Sequence, residues 1–309
     1  MIYTLTLNPA VDYLVHLDAL TPGAVNRGLG ERVMWGGKGI NVSRVLNGLG
    51  FDTVALGFIA GFTGQALKQG LRAIGIRTDF IELQEGLTRI NVKVRAKEGT
   101  EISGSGPAVN SEAVEALISR VTGLNQGDVL VMAGNVPPNV GQDIYERLLT
   151  SLSGHGVMVV VDASGEALRR VLKHKPSLVK PTLADLNEIC GQNAVTDGEI
   201  IENAKRFQAM GAQNVLVSMP GQGALLVQAN GQTHRVNFPR GQIKGLAGAA
   251  DSLVAGYLSG LMWDFPTEKA LALGAAAESA TAFSEGLATA EEIAAVYASA
   301  YGLTLPKPR

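Results

Sequence analysis

"VMVVVDAS", Val157 to Ser164, opens with five apolar residues in a row. A strand with one wet face alternates polar and apolar residues, so an unbroken run rich in valine reads as a strand buried on both faces, as in a parallel sheet covered by helices. The same reading extends outward to "IYTLTL" (Ile2 to Leu7), "TVALGFI" (Thr53 to Ile59), "DVLVMAG" (Asp128 to Gly134), "SLVKP" (Ser177 to Pro181) and "NVLVSM" (Asn214 to Met219). Between these lie stretches with helical spacing: "GQALKQGLRAIG" (Gly64 to Gly75), "NSEAVEALISRV" (Asn110 to Val121) and "EIIENAKRFQAMG" (Glu199 to Gly211). Asn110 or Ser111 suits the cap of the second, and Gly75 and Gly211 suit the ends of the others. Strand and helix in alternation predict an α/β fold.

Two regions break that rhythm. "TRINVKVRAKEGTEISGSG" (Thr88 to Gly106) alternates across a Lys-Glu-Gly turn and reads as a hairpin. "AVDYLVHL" (Ala10 to Leu17) and "GERVMW" (Gly30 to Trp35) are strand-like but fit no βαβ unit. The three together predict a small separate sheet, either a lid over a ligand or an edge decoration. "GALLVQANGQTHRVNFP" (Gly223 to Pro239) is a second hairpin, turning at Asn230-Gly231.

With 309 residues the chain can bury a substantial core as one large domain. A formal net charge of -2 with 17% charged residues shows no basic excess, which argues against a nucleic-acid surface and towards small-molecule ligands. Cys190 is the only cysteine, so no intrachain disulfide forms and a reducing compartment is compatible. "MIYTLTLNPAVD" lacks the pattern of a secretory signal, and no apolar run approaches the ~20 residues of a membrane span. A soluble, cytoplasmic protein with no membrane partner is expected.

Chemistry concentrates in two glycine-bearing segments. "MWGGKGINVSRVLNGLG" (Met34 to Gly50) sets Gly36, Gly37, Lys38 and Gly39 ahead of helical spacing. Close backbone approach beside a helix N-terminus suits an anion or a polyhydroxylated ligand; a flexible loop before a helix is the plainer reading. "GLAGAADSLVAGYLSGLMW" (Gly245 to Trp263) leads through a small-residue turn into an apolar helix with Asp251 in its first turn. Asp251 is there either a helix-capping acid or a general base beside an anion-binding backbone, and phosphoryl transfer needs both of those items. Neither G-x-x-x-x-G-K-[ST] nor a G-x-G-x-x-G after the first strand occurs, and His16, His155, His174 and His234 are scattered rather than spaced as metal ligands.

The stretches "TLNPAVD" at Thr6, "GGKGINVSR" at Gly36, "TRINVKV" at Thr88, "VKPTLADL" at Val179, "VSMPGQGALL" at Val217 and "GAADS" at Gly248 resemble, in order and spacing, the ribokinase-like sugar kinases in their phosphosugar branch. The resemblance runs essentially end to end. It implies a single domain over residues 1–309, a three-layer α/β/α fold with a small β-sheet lid from about 10–35 and 88–106. It also implies ATP, Mg²⁺, and a homodimer formed through the lid. The implied reaction carries the γ-phosphoryl group of ATP to a sugar phosphate, foremost fructose 1-phosphate, with tagatose 6-phosphate and fructose 6-phosphate as alternatives.

Residue roles follow from the same resemblance. Asp12 and Asn41 would bind sugar hydroxyls, with the backbone of Gly36, Gly37 and Gly39 closing around the sugar and Asn135 on the same side. Arg89, and with it Lys38 and Arg27, would meet phosphate; Asn41 as a helix cap and Arg27 as solvated surface are the plainer alternatives. Asp251 would be the base and Gly248, Ala249 and Ala250 the anion hole, while Lys180, Ser218, Gly221 and Gly223 would lie beside the nucleotide. Thr182 and Asp185 would hold Mg²⁺, directly or through water.

Three motifs depart from the family pattern. G-A-G-D reads Gly248-Ala249-Ala250-Asp251, N-x-x-E reads Thr182-Leu183-Ala184-Asp185, and G-S-L-P reads Gly134-Asn135-Val136-Pro137. The nucleotide and metal side has drifted more than the sugar side, so a catalytically weak sugar-phosphate binding or regulatory protein is the rival reading. At Ala250, a backbone with positive φ would be strained by the methyl group, whereas a helical backbone would accept it freely.

Overall fold

A ten-stranded sheet forms the centre of the computed structural model, which describes residues 1–138 and 140–306. In spatial order its strands are Thr233–Asn237, Gly223–Val227, Asn214–Met219, Leu178–Val179, Met158–Asp162, Val129–Ala133, Ile2–Thr6, Thr53–Ala60 and Arg77–Thr78; Ile81–Leu83 also pairs with Thr53–Ala60. Neighbours from Asn214–Met219 to Arg77–Thr78 run parallel, and Gly223–Val227 and Thr233–Asn237, joined by the hairpin turn at Asn230-Gly231, are added antiparallel.

The unbroken apolar runs are explained by the two helical layers. Successive residues of a strand point to opposite faces. In Val129–Ala133, Leu130 and Met132 join a core with Leu117, Leu148 and Phe207, while Val129 and Val131 join another with Leu46, Leu253 and Leu273. Helices Ser111–Thr122, Ile144–Ser151 and Asp197–Ala209 cover the first face; Lys38–Gly48, Ala249–Met262 and Thr267–Ala282 cover the second. The result is a three-layer α/β/α fold.

Helix boundaries shift by a few residues from the spacing. Asn110, not Ser111, caps its helix, with Oδ1 accepting from the Ala113 N–H. The expected Glu199 start moves back to Asp197, because Thr196 and Glu199 form a reciprocal capping box. The expected Gly64 start moves back to Gly61.

A separate four-stranded sheet has Ala10–His16 at its centre, between Gly30–Gly36 (antiparallel) and Arg89–Arg95 (parallel), with Thr100–Ser103 outside the latter. Register gives it two unlike faces. Asp12 lies opposite Met34 and Asn91, and Asn91 opposite Ser103; one residue along, Val33, Tyr13, Val92 and Ile102 make an apolar row on the other face.

The second layer presses on the first strand at Gly39, where a Cβ would lie 2.7 Å from the Leu5 carbonyl oxygen. Alanine favours a helix by about 1 kcal/mol over glycine. Gly39→Ala should nevertheless lower stability, by about 1–3 kcal/mol, because the obstacle is backbone and the helix must shift. Chemical denaturation checks the sign: a more stable variant would show that the helix moves at no cost.

Candidate active site

The parallel strands bring their carboxyl ends to one edge, the usual place for a ligand in an open α/β sheet. Asp162 ends one strand, Lys180 follows the next, and Ser218 lies near the end of a third. Over this edge comes the glycine segment, and it is not a loop. Gly36 closes a strand and Lys38 opens a helix, leaving Gly37 alone between them with φ 130°. A Cβ on Gly37 would meet Thr6 Cγ2 at 2.6 Å, and one on Gly36 would meet Asp12 Oδ2 at 2.7 Å. The glycines are therefore demanded by close approach of the helix N-terminus to the first strand and to Asp12. Thr6 Oγ1 accepts the Ile40 N–H at 3.2 Å and fixes the join.

Asn41 lies inside that helix, so it is not a cap; its amide donates to Asp251 Oδ2 at 2.8 Å, across 210 residues of sequence. Asp251 is not a cap either. Gly248, with φ 81°, occupies the N-cap of helix Ala249–Met262 with no side-chain cap, and the Asp251 carboxylate turns to Asn41 instead. It is 4% exposed. Burial first, then the nearby Asp162 charge, push its pKa up to about 6, against the pull of the Asn41 hydrogen bond, Lys38 and Lys180. First-turn N–H groups such as those of Ala250 and Asp251 have no carbonyl within their own helix and are available to an anion.

Beside Asp251 lies a buried ion pair, Lys180 Nζ to Asp162 Oδ1 at 3.1 Å, with both side chains 2% exposed. Burial alone would lower the Lys180 pKa; Asp162, with weaker help from Asp251 and Glu278, holds it above its usual value. Lys38 Nζ reaches the same Oδ1 at 3.5 Å. Two ammonium groups thus converge on one carboxylate oxygen, while Asp162 Oδ2 is buried without a hydrogen-bond partner. Thr182 and Asp185 form a capping box in which Asp185 Oδ2 accepts the Thr182 N–H and hydroxyl. Ser218 is buried, its N–H held by the Pro181 carbonyl; Gly221 lies in the turn after its strand and Gly223 opens the next strand. Asn135 is exposed and accepts from Ser164 Oγ at 3.0 Å.

A cavity of about 460 Å³ opens between the small sheet, the helix Lys38–Gly48 and two loops, with Asp12, Asn41, Lys244 and Gly286 on its walls. Asp12 is held twice, Oδ1 by Asn91 and Oδ2 by Lys93, each at 2.8 Å. Its rim carries His16, Arg44, Lys93, Arg95 and Lys244, none of them singled out by motif. The signal existed in part: alternation in "TRINVKVR" puts Arg89, Asn91, Lys93 and Arg95 on one face. Arg89 shares that face but does not line the cavity, and its Nε donates to the Asn8 carbonyl at 3.1 Å. Arg27 is exposed on the segment between the first two strands of the small sheet and also lies outside the lining. A more open cleft of about 680 Å³ along Thr233–Asn237 touches none of these residues.

A buried carboxylate in the first turn of a helix, near the Lys180–Asp162 pair and hydrogen-bonded to Asn41 on the wall of a cavity with cationic side chains, is suited to moving a phosphoryl group onto a hydroxyl. The chain belongs to the pfkB family of carbohydrate kinases, whose family model matches residues 5–294. It is 42% identical over 291 residues to the 1-phosphofructokinase of Bacillus subtilis (strain 168), covering 94% of this chain and 95% of that protein. It is 32% identical over 279 residues to a tagatose-6-phosphate kinase of Staphylococcus epidermidis, covering 88% of each. The fold matches phosphofructokinase-2 from Escherichia coli in complex with fructose-6-phosphate with a TM-score of 0.89 at 28% identity, over 96% and 98% of the two chains. The protein is accordingly a sugar-phosphate kinase, a phosphotransferase with an alcohol acceptor and ATP as donor. No helix among the described residues is long and apolar enough to cross a membrane.

The positive φ of the GAAD turn falls on Gly248, and Ala250 sits in the helix behind it. Ala250→Gly should therefore leave kcat within a few-fold and cost up to about 1 kcal/mol of stability. Gly248→Ala should be far worse, since its Cβ would meet Leu287 Cδ2 at 2.4 Å on a left-handed backbone. A tenfold rise in kcat for Ala250→Gly, about 1.4 kcal/mol of barrier, would mean that the methyl group disturbs the transition state after all.

Proposed function

We propose that the enzyme phosphorylates the 6-hydroxyl of fructose 1-phosphate, giving fructose 1,6-bisphosphate. The observation that carries this is the cavity itself, which brings Asp251's partner Asn41 and the doubly held Asp12 together with a rim of Arg44, Lys93, Arg95 and Lys244, Lys93 being bonded to Asp12 itself. Such a rim fits an acceptor that already bears a phosphate. The choice of the 1-phosphate over tagatose 6-phosphate or fructose 6-phosphate follows the greater identity to the Bacillus subtilis relative.

In this reading Asp12 and Asn41 orient the sugar hydroxyls, and Gly36, Gly37 and Gly39 let the backbone close on the ring. Asp251 takes the proton as the hydroxyl oxygen attacks the γ-phosphorus, and the bond to the bridging oxygen of ADP breaks. Lys38, Lys180 and the N–H groups at the start of the helix Ala249–Met262 meet the charge on the transferring group. Ser218, Gly221 and Gly223 lie along the nucleotide. Arg44, Lys93, Arg95 and Lys244 hold the phosphate already present on the sugar, with Arg89 behind them and Arg27 and Asn135 at the margins.

Mg²⁺ usually takes one or two carboxylates and completes its shell with water and phosphate oxygens, so a full protein cage is not needed. The residues fit that pattern: Asp185 spends only Oδ2 in its capping box, and Asp162 keeps a buried oxygen without a hydrogen bond. Mg²⁺ would there neutralise charge on the β- and γ-phosphates.

We further propose that the small sheet closes over the cavity as a lid and that two lids pair in a homodimer. Val33, Tyr13, Val92 and Ile102 cross all four of its strands on the face away from Asp12, and Ile102 is 63% exposed. An unpaired cysteine and charged substrates support a cytoplasmic location.

The deciding experiment is a coupled assay over the three sugar phosphates with and without Mg²⁺. Fructose 1-phosphate should give the highest kcat/KM; preference for a 6-phosphate would reverse the acceptor, and no turnover would favour a binding protein. Asp251→Asn should lower kcat about a hundred- to ten-thousand-fold with sugar-phosphate affinity nearly unchanged. Since the base must be ionised, kcat of the native enzyme should fall as pH drops through about 6. Ile102→Glu should give monomers by light scattering; an unchanged mass would remove the lid from the interface.

A further inference from the structure

Helix Thr267–Ala282 reads "TEKALALGAAAESATA", small and apolar through its buried middle except at Glu278. Its neighbours explain the alanines and glycine: the helix lies so close to Ala249–Met262 that a Cβ on Gly274 would come within 2.8 Å of the Leu253 carbonyl oxygen. They do not explain the acid. Glu278 is 9% exposed, and its Oε2 is buried with no hydrogen-bond partner. A carboxylate so placed is costly unless it is neutral or held by a field.

The field is that of the phosphoryl-transfer site. Ser252 Oγ and Thr281 Oγ1 pair at 2.8 Å and pin the turn carrying Glu278 against the turn carrying Asp251. The charged groups that act on Glu278 are Lys180, then Asp251 and Asp162, from three different elements. Lys180 is thus paired with Asp162 and feels the charges of Asp251 and Glu278 from farther off, while Lys38 joins it on Asp162.

We propose that Glu278 is a positioning residue for nucleotide binding: it releases Lys180 to the triphosphate by taking up a proton, so that binding of the nucleotide is coupled to protonation of this buried acid. The inference rests on the reading of Lys180 as a phosphate-side residue. Ionised, Glu278 competes with the incoming phosphates for the same ammonium group and repels them. Protonated, it does neither. Burial already pushes its pKa up to about 7, with Lys180 pulling the other way and Asp251 and Asp162 adding to the rise. Added negative charge raises it further, so the bound state holds the proton where the free state has lost it. By linkage, nucleotide affinity is greatest below about pH 7 and weakens as pH rises through the free-state value, by up to tenfold per pH unit.

The test compares the full-length enzyme with Glu278→Gln, which keeps the shape and loses the titration. Calorimetry with the Mg²⁺ complex of the β,γ-imido analogue of ATP, in two buffers of different ionisation enthalpy, counts the protons taken up. Titration of the nucleotide itself is common to both proteins and cancels in the difference. The native enzyme should take up more protons than the variant near pH 8, and its KM for ATP should rise several-fold more steeply from pH 6.5 to 8.5. KM for the sugar phosphate should not share that difference. Glu278→Ala should behave as Glu278→Gln, which separates loss of titration from a packing fault peculiar to one variant. Equal proton uptake and parallel KM profiles would overturn the role of Glu278 and leave the kinase reading standing. Failure of the native protein to bind the analogue at any pH would overturn both.

Discussion

The Lys180–Asp162 pair is the constraint on which the rest of the site depends. Both side chains are 2% exposed, and each would be costly to bury alone. Together they are held by adjacent strands, Met158–Asp162 and the short strand Leu178–Val179, whose pairing sets their separation. The groups nearby respond to that pair: Lys38 adds a second cation to Asp162; Asp251, raised chiefly by its burial, is pushed up further by Asp162 and held back by Lys180; and Lys180 pulls Glu278 down. A site built of buried charges is one in which each protonation state is a property of the group rather than of one residue.

Around that pair the chain arranges two kinds of contact with different stakes. Asp12 is satisfied twice, by Asn91 and Lys93, so its orientation is fixed before any ligand arrives. Such preorganisation reduces what a substrate must order on binding. Asp251 is satisfied once, by Asn41, and otherwise kept in a poorly solvated place where its basicity is raised. The two carboxylates thus differ in environment, one fixed by two partners and the other buried with one.

The departures at Ala250, Thr182 and Asp185 disturb the fold less than the motif suggests. Ala250 sits where a helix accepts alanine, and Thr182 and Asp185 satisfy one another at a helix start.

Much was legible in the sequence. Unbroken apolar runs marked strands covered on both sides, since a strand with a wet face would alternate, and period-two spacing in "TRINVKVR" placed Asn91 and Lys93 on the face of Arg89. Other matters needed the tertiary structure. Whether the glycines at 36–39 formed a loop or a close contact depended on Leu5, Thr6 and Asp12, some thirty residues away along the chain. Whether Asn41 and Asp251 were caps depended on each other across 210 residues. Glu278 carried no sequence signal at all, being, with Glu268, one of two acids in an alanine-rich helix. Local rules fix which backbone a segment prefers, because propensity and periodicity act within a few residues. The charge a buried group carries is set by what the fold brings beside it, and that is decided only when distant segments pack.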